Sequence, residues 1–264
     1  MVDAGKVYAV AIKDLKEAFA SLAIYGPMIG IPLFFAFTLP VFTIYVSKYA
    51  GPEIVQRIIG VAAAGAAAAY GSSKFLFVQF FSVSILGPIF MTMPIITASV
   101  IAADSFAGEK ERKTAESLLT TPASDMDLLL GKMLASLIPA VLLTVAVFVV
   151  YAAVSNYFSA VNYGQVVFPN TSWYMMILDS PFLALTTIGL VVLVSARVKG
   201  IKEAQQISAL LVLPILVIPF VSVFNVATLD FTFFLYLMVA LIASSLIVLF
   251  LSVRLFDREK FIGA

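Results

Sequence analysis

Long apolar runs divide this chain into stretches about as long as a bilayer is thick. A hydrocarbon core about 30 Å across is crossed by roughly 20 apolar residues in a helix. Such runs cover residues 27–46, about 75–103, 133–154, 181–196, 207–224 and 231–253. The pattern predicts an all-α, polytopic integral membrane protein with six transmembrane helices. The second run is long enough to tilt or to begin in the interface, and an interfacial stretch at 173–178 precedes the fourth. Runs five and six share one apolar region that divides near 225–230. Pro88, Pro94, Pro139, Pro214 and Pro219 fall within runs, where proline kinks a helix.

The start of the chain has a different period. At 100° per residue, Val7, Tyr8, Ala11, Ile12, Leu15, Ala18, Phe19 and Leu22 share one arc, and Lys6, Lys13, Asp14, Lys16 and Glu17 share the other. Residues 1–24 are therefore expected to form an amphipathic helix. One reading lays it along the membrane surface, with Lys6, Lys13 and Lys16 attracted to headgroups. The alternative is an ordinary packing helix. The charges before the first run, and the length of that run, argue against a secretory leader.

Composition agrees with a lipid-embedded chain: 62% of residues are hydrophobic and 12% charged, with a mean hydropathy of +1.08. Soluble domains carry about half apolar and about a quarter charged residues. The net charge of +1 says little, but its distribution says more. Thirteen of the sixteen Lys and Arg residues fall in one alternate set of segments, leaving Lys48, Arg57 and Lys74 in the other. By the positive-inside rule the rich set, both chain ends included, is expected in the cytoplasm. Tyr157, Tyr163, Trp173 and Tyr174 crowd the opposite loop between runs three and four, where amphipathic rings favour the headgroup level. Asn170-Thr171-Ser172 in that loop is a glycosylation sequon, a triplet that often arises by chance. Residues 61–69 are mostly alanine, compatible with an external helix or a low-complexity loop.

Absences narrow the chemistry. Without His or Cys the chain lacks the commonest metal ligands and thiol nucleophiles. No phosphate-binding loop is present: Met126 stands where its first glycine belongs, and Gly131-Lys132 is followed by Met133. No cofactor is expected on this chain, and any ATP would be bound elsewhere. Two acids lie at span ends. Asp179-Ser180-Pro181 reads as a helix start, with proline at the first helical position, and Asp230 stands similarly before run six. The rival reading makes each a functional intramembrane carboxylate.

The segment 104–132 holds ten of the 31 charges. Glu109 with Lys113 and Arg112 with Glu116 are i,i+4 pairs, so 106–120 is expected to be helical. Thr121-Pro122 ends that helix. Ser124 then caps a new one, with Asp127 three residues on. Charge patterning alone would allow a solvated hairpin between two membrane helices.

The residue order resembles the loop between the second and third spans of type-2 ABC-transporter permeases, the membrane subunits of exporters. Phe106, Glu109, Glu111, Thr114, Glu116, Leu118, Leu119, Thr121, Pro122, Ser124, Asp127, Gly131 and Lys132 occupy matching places. Lys113, Ala115 and Asp127 replace the usual glycine, larger apolar residue and glutamate. The motif covers about a tenth of the chain, and the amphipathic start, six spans and basic turn at 197–203 fit the same pattern.

The resemblance implies one transmembrane permease domain over 1–264, with 104–132 as a coupling segment seated in a groove of an ABC ATPase. Glu109, Glu111, Arg112, Thr114, Glu116, Leu118, Leu119, Thr121, Pro122 and Ser124 would make that contact. Two ATPase subunits carrying ATP and Mg, and a second permease of the same or similar kind, would complete an exporter in the cytoplasmic membrane. The chain would then be no enzyme and would bind no nucleic acid. An ATP-independent transporter or channel, which should show intramembrane polar sites or broken helices in both halves, is the alternative. An intramembrane enzyme would have almost nothing but Asp179 and Asp230 to work with. The substrate is not legible, beyond a weak pointer to an amphiphile from so apolar an interior.

Overall fold

A computed structural model describes residues 2–20, 22–49, 51, 53, 73–112, 121, 123–195, 197–198, 200–208, 210, 217 and 231–255. All regular structure among these residues is helical. The alanine-rich 61–69 stretch, residues 113–120, Asp230 and most of the fifth run lie outside the described residues.

Helix α1 (Ala4–Ala20) leads into α2 (Leu22–Tyr49), whose Met28–Tyr49 portion is the first candidate span. α2 packs through one stripe: Met28, Pro32, Ala36, Pro40, Thr43 and Ser47 are buried, three or four residues apart. Phe34, Phe37, Phe42 and Tyr45 point outward.

The second candidate span, Lys74–Glu111, is a broken rod. It comprises α3 (Ser73–Phe80), a π-helical segment (Phe81–Leu86), α4 (Gly87–Phe90), a turn at Met91 and Thr92, and α5 (Met93–Glu111). The breaks follow the prolines. Pro88 and Pro94 lack the N–H that would continue the ladder, so the chain shifts register around each. The Tyr151 hydroxyl donates to the Ser82 carbonyl inside the π-helical segment at 2.9 Å. Phe90 packs against Tyr151, with ring centres 4.4 Å apart and planes tilted by 40°.

The third span belongs to α6 (Asp125–Tyr163). Its 39 residues rise about 58 Å at 1.5 Å each, well beyond the hydrocarbon core. The expected start is confirmed in detail. Ser124 Oγ accepts from Asp127 N, and Asp127 Oδ2 accepts from Ser124 N, a reciprocal capping box. Beyond α6, Asn156 ties down the connecting loop: it accepts from Val167 N and Phe168 N and donates to the Phe168 carbonyl.

The fourth span requires a correction. α7 (Thr171–Ser195) is one helix, so it neither starts at 181 nor has a separate interfacial piece before it. Asn170, the sequon residue, caps it by accepting from Trp173 N at 2.8 Å. Pro181 sits inside the helix, where the Ile177 carbonyl has lost its usual donor. Ser180 Oγ donates to that carbonyl at 2.7 Å, which keeps the helix whole. The reading of Asp179 as a capping residue falls with this. Asp179 is fully buried within α7, and neither carboxylate oxygen meets a hydrogen-bond partner among the described residues.

α8 (Phe231–Leu255) completes five candidate spans among the described residues, against six expected from the sequence. It lies against α7 through small residues. A Cβ on Gly189 would stand 2.5 Å from Val248 Cγ1, and Ser252 Oγ donates to the Gly189 carbonyl at 3.0 Å. Membrane helices favour such contacts because close backbone approach maximises packing where lipid offers no hydrophobic drive.

Candidate functional site: a buried charge junction

The expected helix at 106–120 is not a separate element where it is described. No breaker separates Ala103 from Phe106, so α5 runs on from the second span to Glu111, and Arg112 N closes the last turn on the Gly108 carbonyl. Nor is the described part of this stretch simply solvated: Asp104, Ser105 and Glu109 are buried. Glu109, expected in the ATPase-coupling set, is turned into the chain. Glu111 and Arg112 are exposed and Thr121 half-buried. Ser124 is exposed and occupied in the α6 cap. Thr114, Glu116, Leu118, Leu119 and Pro122 lie outside the described residues.

Glu109 faces Lys132 of α6. Lys132 Nζ lies 2.8 Å from Glu109 Oε1 and 3.0 Å from Asp14 Oδ2, and it donates to the Ser105 carbonyl at 2.8 Å. All three ammonium hydrogens thus have acceptors, two on α5 and one on α1. Ser105 Oγ donates to Asp14 in turn. The side chains of Lys132 and Asp14 are each 3% exposed. Two buried carboxylates against one buried ammonium would leave a net negative charge, which a dry site tolerates poorly. Lys13 supplies the balance from the rim, 3.5 Å from both Asp14 Oδ1 and Glu109 Oε1. Partial burial pulls its pKa down, but the carboxylates of Asp14, Glu109 and Glu17 outweigh that and hold it above the ordinary lysine value.

Two neighbouring ties extend the junction. Arg112 donates to Asp104 at 2.9 Å, a hydrogen bond that, against the pull of desolvation, raises the arginine pKa further. Lys110 Nζ reaches the Ser195 carbonyl at the end of α7, and Glu111 Oε2 accepts from Ile201 N at 2.9 Å, at the start of the helical 201–208 stretch. One turn of α5 thereby contacts α1, α6, α7 and the segment after α7.

The Gly131-Lys132 pair of the motif acquires a structural reason. A Cβ on Gly131 would stand 2.7 Å from Val10 Cβ and 2.9 Å from the Val7 carbonyl, so only glycine lets α1 cross α6 there. Asp3 N also donates to Asp127 Oδ1 at 2.8 Å, pinning the start of α1 to that of α6. With these contacts α1 sits on an edge. Val7, Asp14 and Ala18 are buried, whereas Tyr8 and Phe19 of the apolar arc are exposed. The helix therefore packs on the bundle at the border between its arcs, leaving the outer apolar arc free. Lys6 is half-buried and Lys16 exposed.

The motif and the helices around it coincide with a known family. The family model described as ABC-2 family transporter protein matches residues 8–237. The chain belongs to the ABC-2 transporter family. This makes the protein a multi-pass ABC permease, and membership implies association with an ABC ATPase. No curated protein matches the chain. Within the ABC-2 permease, sequence reasoning found the motif but missed its inward half. The available signal was Asp14, which stands at the edge of the polar arc, two turns after Val7 and one turn before Ala18 on the same side of the helix.

Proposed function

We propose that this ABC-2 permease is the membrane subunit of an exporter, moving an unidentified substrate outward across the cytoplasmic membrane. ATP and Mg would be held and consumed by two separate ATPase subunits, and the chain itself would carry no catalytic group. A second permease, of the same or a similar kind, completes the unit. Both chain ends face the cytoplasm in this reading, and Lys6, Lys13 and Lys16 lie at the membrane surface.

The observation that carries the proposal is the Glu109–Lys132–Asp14 junction. Glu111, Arg112, Thr114, Glu116, Leu118, Leu119, Thr121, Pro122 and Ser124 would meet the ATPase on the outer side of the coupling segment. Glu109 works from the inner side. A push on the segment enters α5, whose backbone is continuous up to the turn at Thr92. The buried pairs carry the same push into α1 and α6, because ion pairs in a dry setting weaken steeply with displacement. The breaks at Pro88 and Pro94 give the span a place to bend.

The test is a mild-detergent pull-down of tagged protein from its native membranes. A near-stoichiometric ATP-binding cassette subunit, lost when Glu111→Lys and Glu116→Lys are combined, is the expected result. Purification alone, or retention of the ATPase by the double variant, would overturn the assigned role of the segment.

A further inference from the structure

An apolar cleft of about 440 Å³ lies between α1 and the first turns of the membrane portion of α6. Tyr8, Ala11 and Leu15 form one wall, and Leu130, Leu134 and Ile138 the other. Its eleven lining residues are all hydrophobic, and only Tyr8 carries a polar side-chain atom. The cleft exists because α1 touches α6 by its edge. Contact is closest at Gly131, against Val7 and Val10, and the outer apolar arc then diverges from α6.

What fills it follows from where it opens. Leu134 and Ile138 begin an exposed stripe that continues through Leu142 and Val149, at helical spacing along the third span. The cleft is continuous with that exposed apolar stripe on a candidate membrane span, and hydrocarbon is the apolar medium such a span meets. Exposed Lys16 borders the apolar arc four residues beyond Ile12, which places a cation where a phosphate headgroup would lie.

We propose that this cleft binds one acyl chain of a phospholipid from the leaflet it faces. An unbranched apolar chain suits an apolar cleft whose one polar side-chain group belongs to the exposed Tyr8. Occupancy backs α1 from its open side, and so supports the helix that carries Asp14 and Lys13 into the charge junction. The inference needs only that the chain is embedded in a membrane and is independent of the exporter reading.

The test uses the full chain in vesicles of phosphatidylcholine and phosphatidylglycerol, doped with phosphatidylcholine bearing a diazirine on one acyl chain. After irradiation, peptide mass spectrometry compares labelling at Tyr8, Leu134 and Ile138 with labelling at Leu142 and Val149. Labelling in the cleft is expected to be several-fold higher. Ala11→Trp, which fills the cleft, should bring it down to the level of Val149 while leaving Val149 unchanged. Ala4→Trp, at an exposed lining position, is the second variant in case the first disturbs packing. Even labelling along the stripe would show ordinary surrounding lipid and overturn the proposal. Labelled Val149 with unlabelled cleft residues would show that another protein chain covers the cleft, and would overturn it equally.

Discussion

Lys132 Nζ stands 2.8 Å from Glu109 Oε1, with both side chains almost fully withdrawn from solvent. The pair joins the end of the second span to the start of the third and is completed from a third helix by Asp14. Removing one member of such a cluster leaves uncompensated charge in a dry site, which costs more than the intact pair contributes. Lys132→Met should therefore destabilise the protein by about 3–5 kcal/mol. Adding Glu109→Gln to that variant should recover part of the loss. Chemical unfolding in detergent micelles, run as a double-mutant cycle, reads both effects. Additive losses would show that the two side chains do not interact.

The α7–α8 contact at Gly189 has little slack. Gly189→Ala places a methyl against Val248 Cγ1 and should cost about 1–3 kcal/mol. Val248→Ala removes the opposing atom and should restore most of that loss. The unfolding midpoints of the single and double variants decide it. A Gly189→Ala protein as stable as the parent would mean the helices part more easily than this contact allows.

Ser180 matters because Pro181 follows it. Ser180→Ala strands the part-buried Ile177 carbonyl, at a cost of about 1 kcal/mol or more. In a Pro181→Ala background the backbone N–H returns, and the same substitution should be nearly neutral. Equal effects in the two backgrounds would contradict the substitution of hydroxyl for amide.

Asp179 is buried without a hydrogen-bond partner among the described residues, which is costly for so polar a group. Asp179→Leu should raise stability, by about 1–3 kcal/mol, and this is measurable in the same unfolding assay. A stabilised variant whose complex loses ATPase activity would mark the acid as functional. A destabilised variant would mean that the carboxyl group holds structure by itself.

Lys13 sets a pH dependence. Its pKa is raised in the folded protein, so its contribution is fully present below the ordinary value of 10.5 and is lost as pH rises through the higher folded value. Hydrogen exchange of α1 should accelerate above that pH, beyond the intrinsic alkaline increase. Lys13→Gln should show weaker protection at neutral pH and no such step.

Much of this was legible from local pattern. The apolar runs locate the spans because a bilayer demands a set length of apolar helix: the first and sixth runs match helices within a few residues, and the third lies inside the much longer α6. Ser124 and Asp127 announced the α6 start because a capping box is made by residues three apart. The motif from Phe106 to Lys132 pointed to the family for the same reason, since its information lies in adjacent residues. The start of α7 was misread because Pro181 signals a helix beginning unless a neighbour replaces its missing donor, and Ser180 does so.

The sequence by itself determined the class of molecule, its family and the rough places of the first, second, third and sixth runs, all of which depend on short-range order and length. Tertiary structure alone decided which face of α1 is buried, why position 131 is glycine, and what Glu109 and Lys132 do. Asp14 and Lys132 are 118 residues apart, and nothing near either one names the other. An amphipathic wheel assigns Asp14 to water because it counts only its own helix. A buried ammonium on another helix reverses that assignment, since in a dry junction the nearest opposite charge outweighs the local polar face.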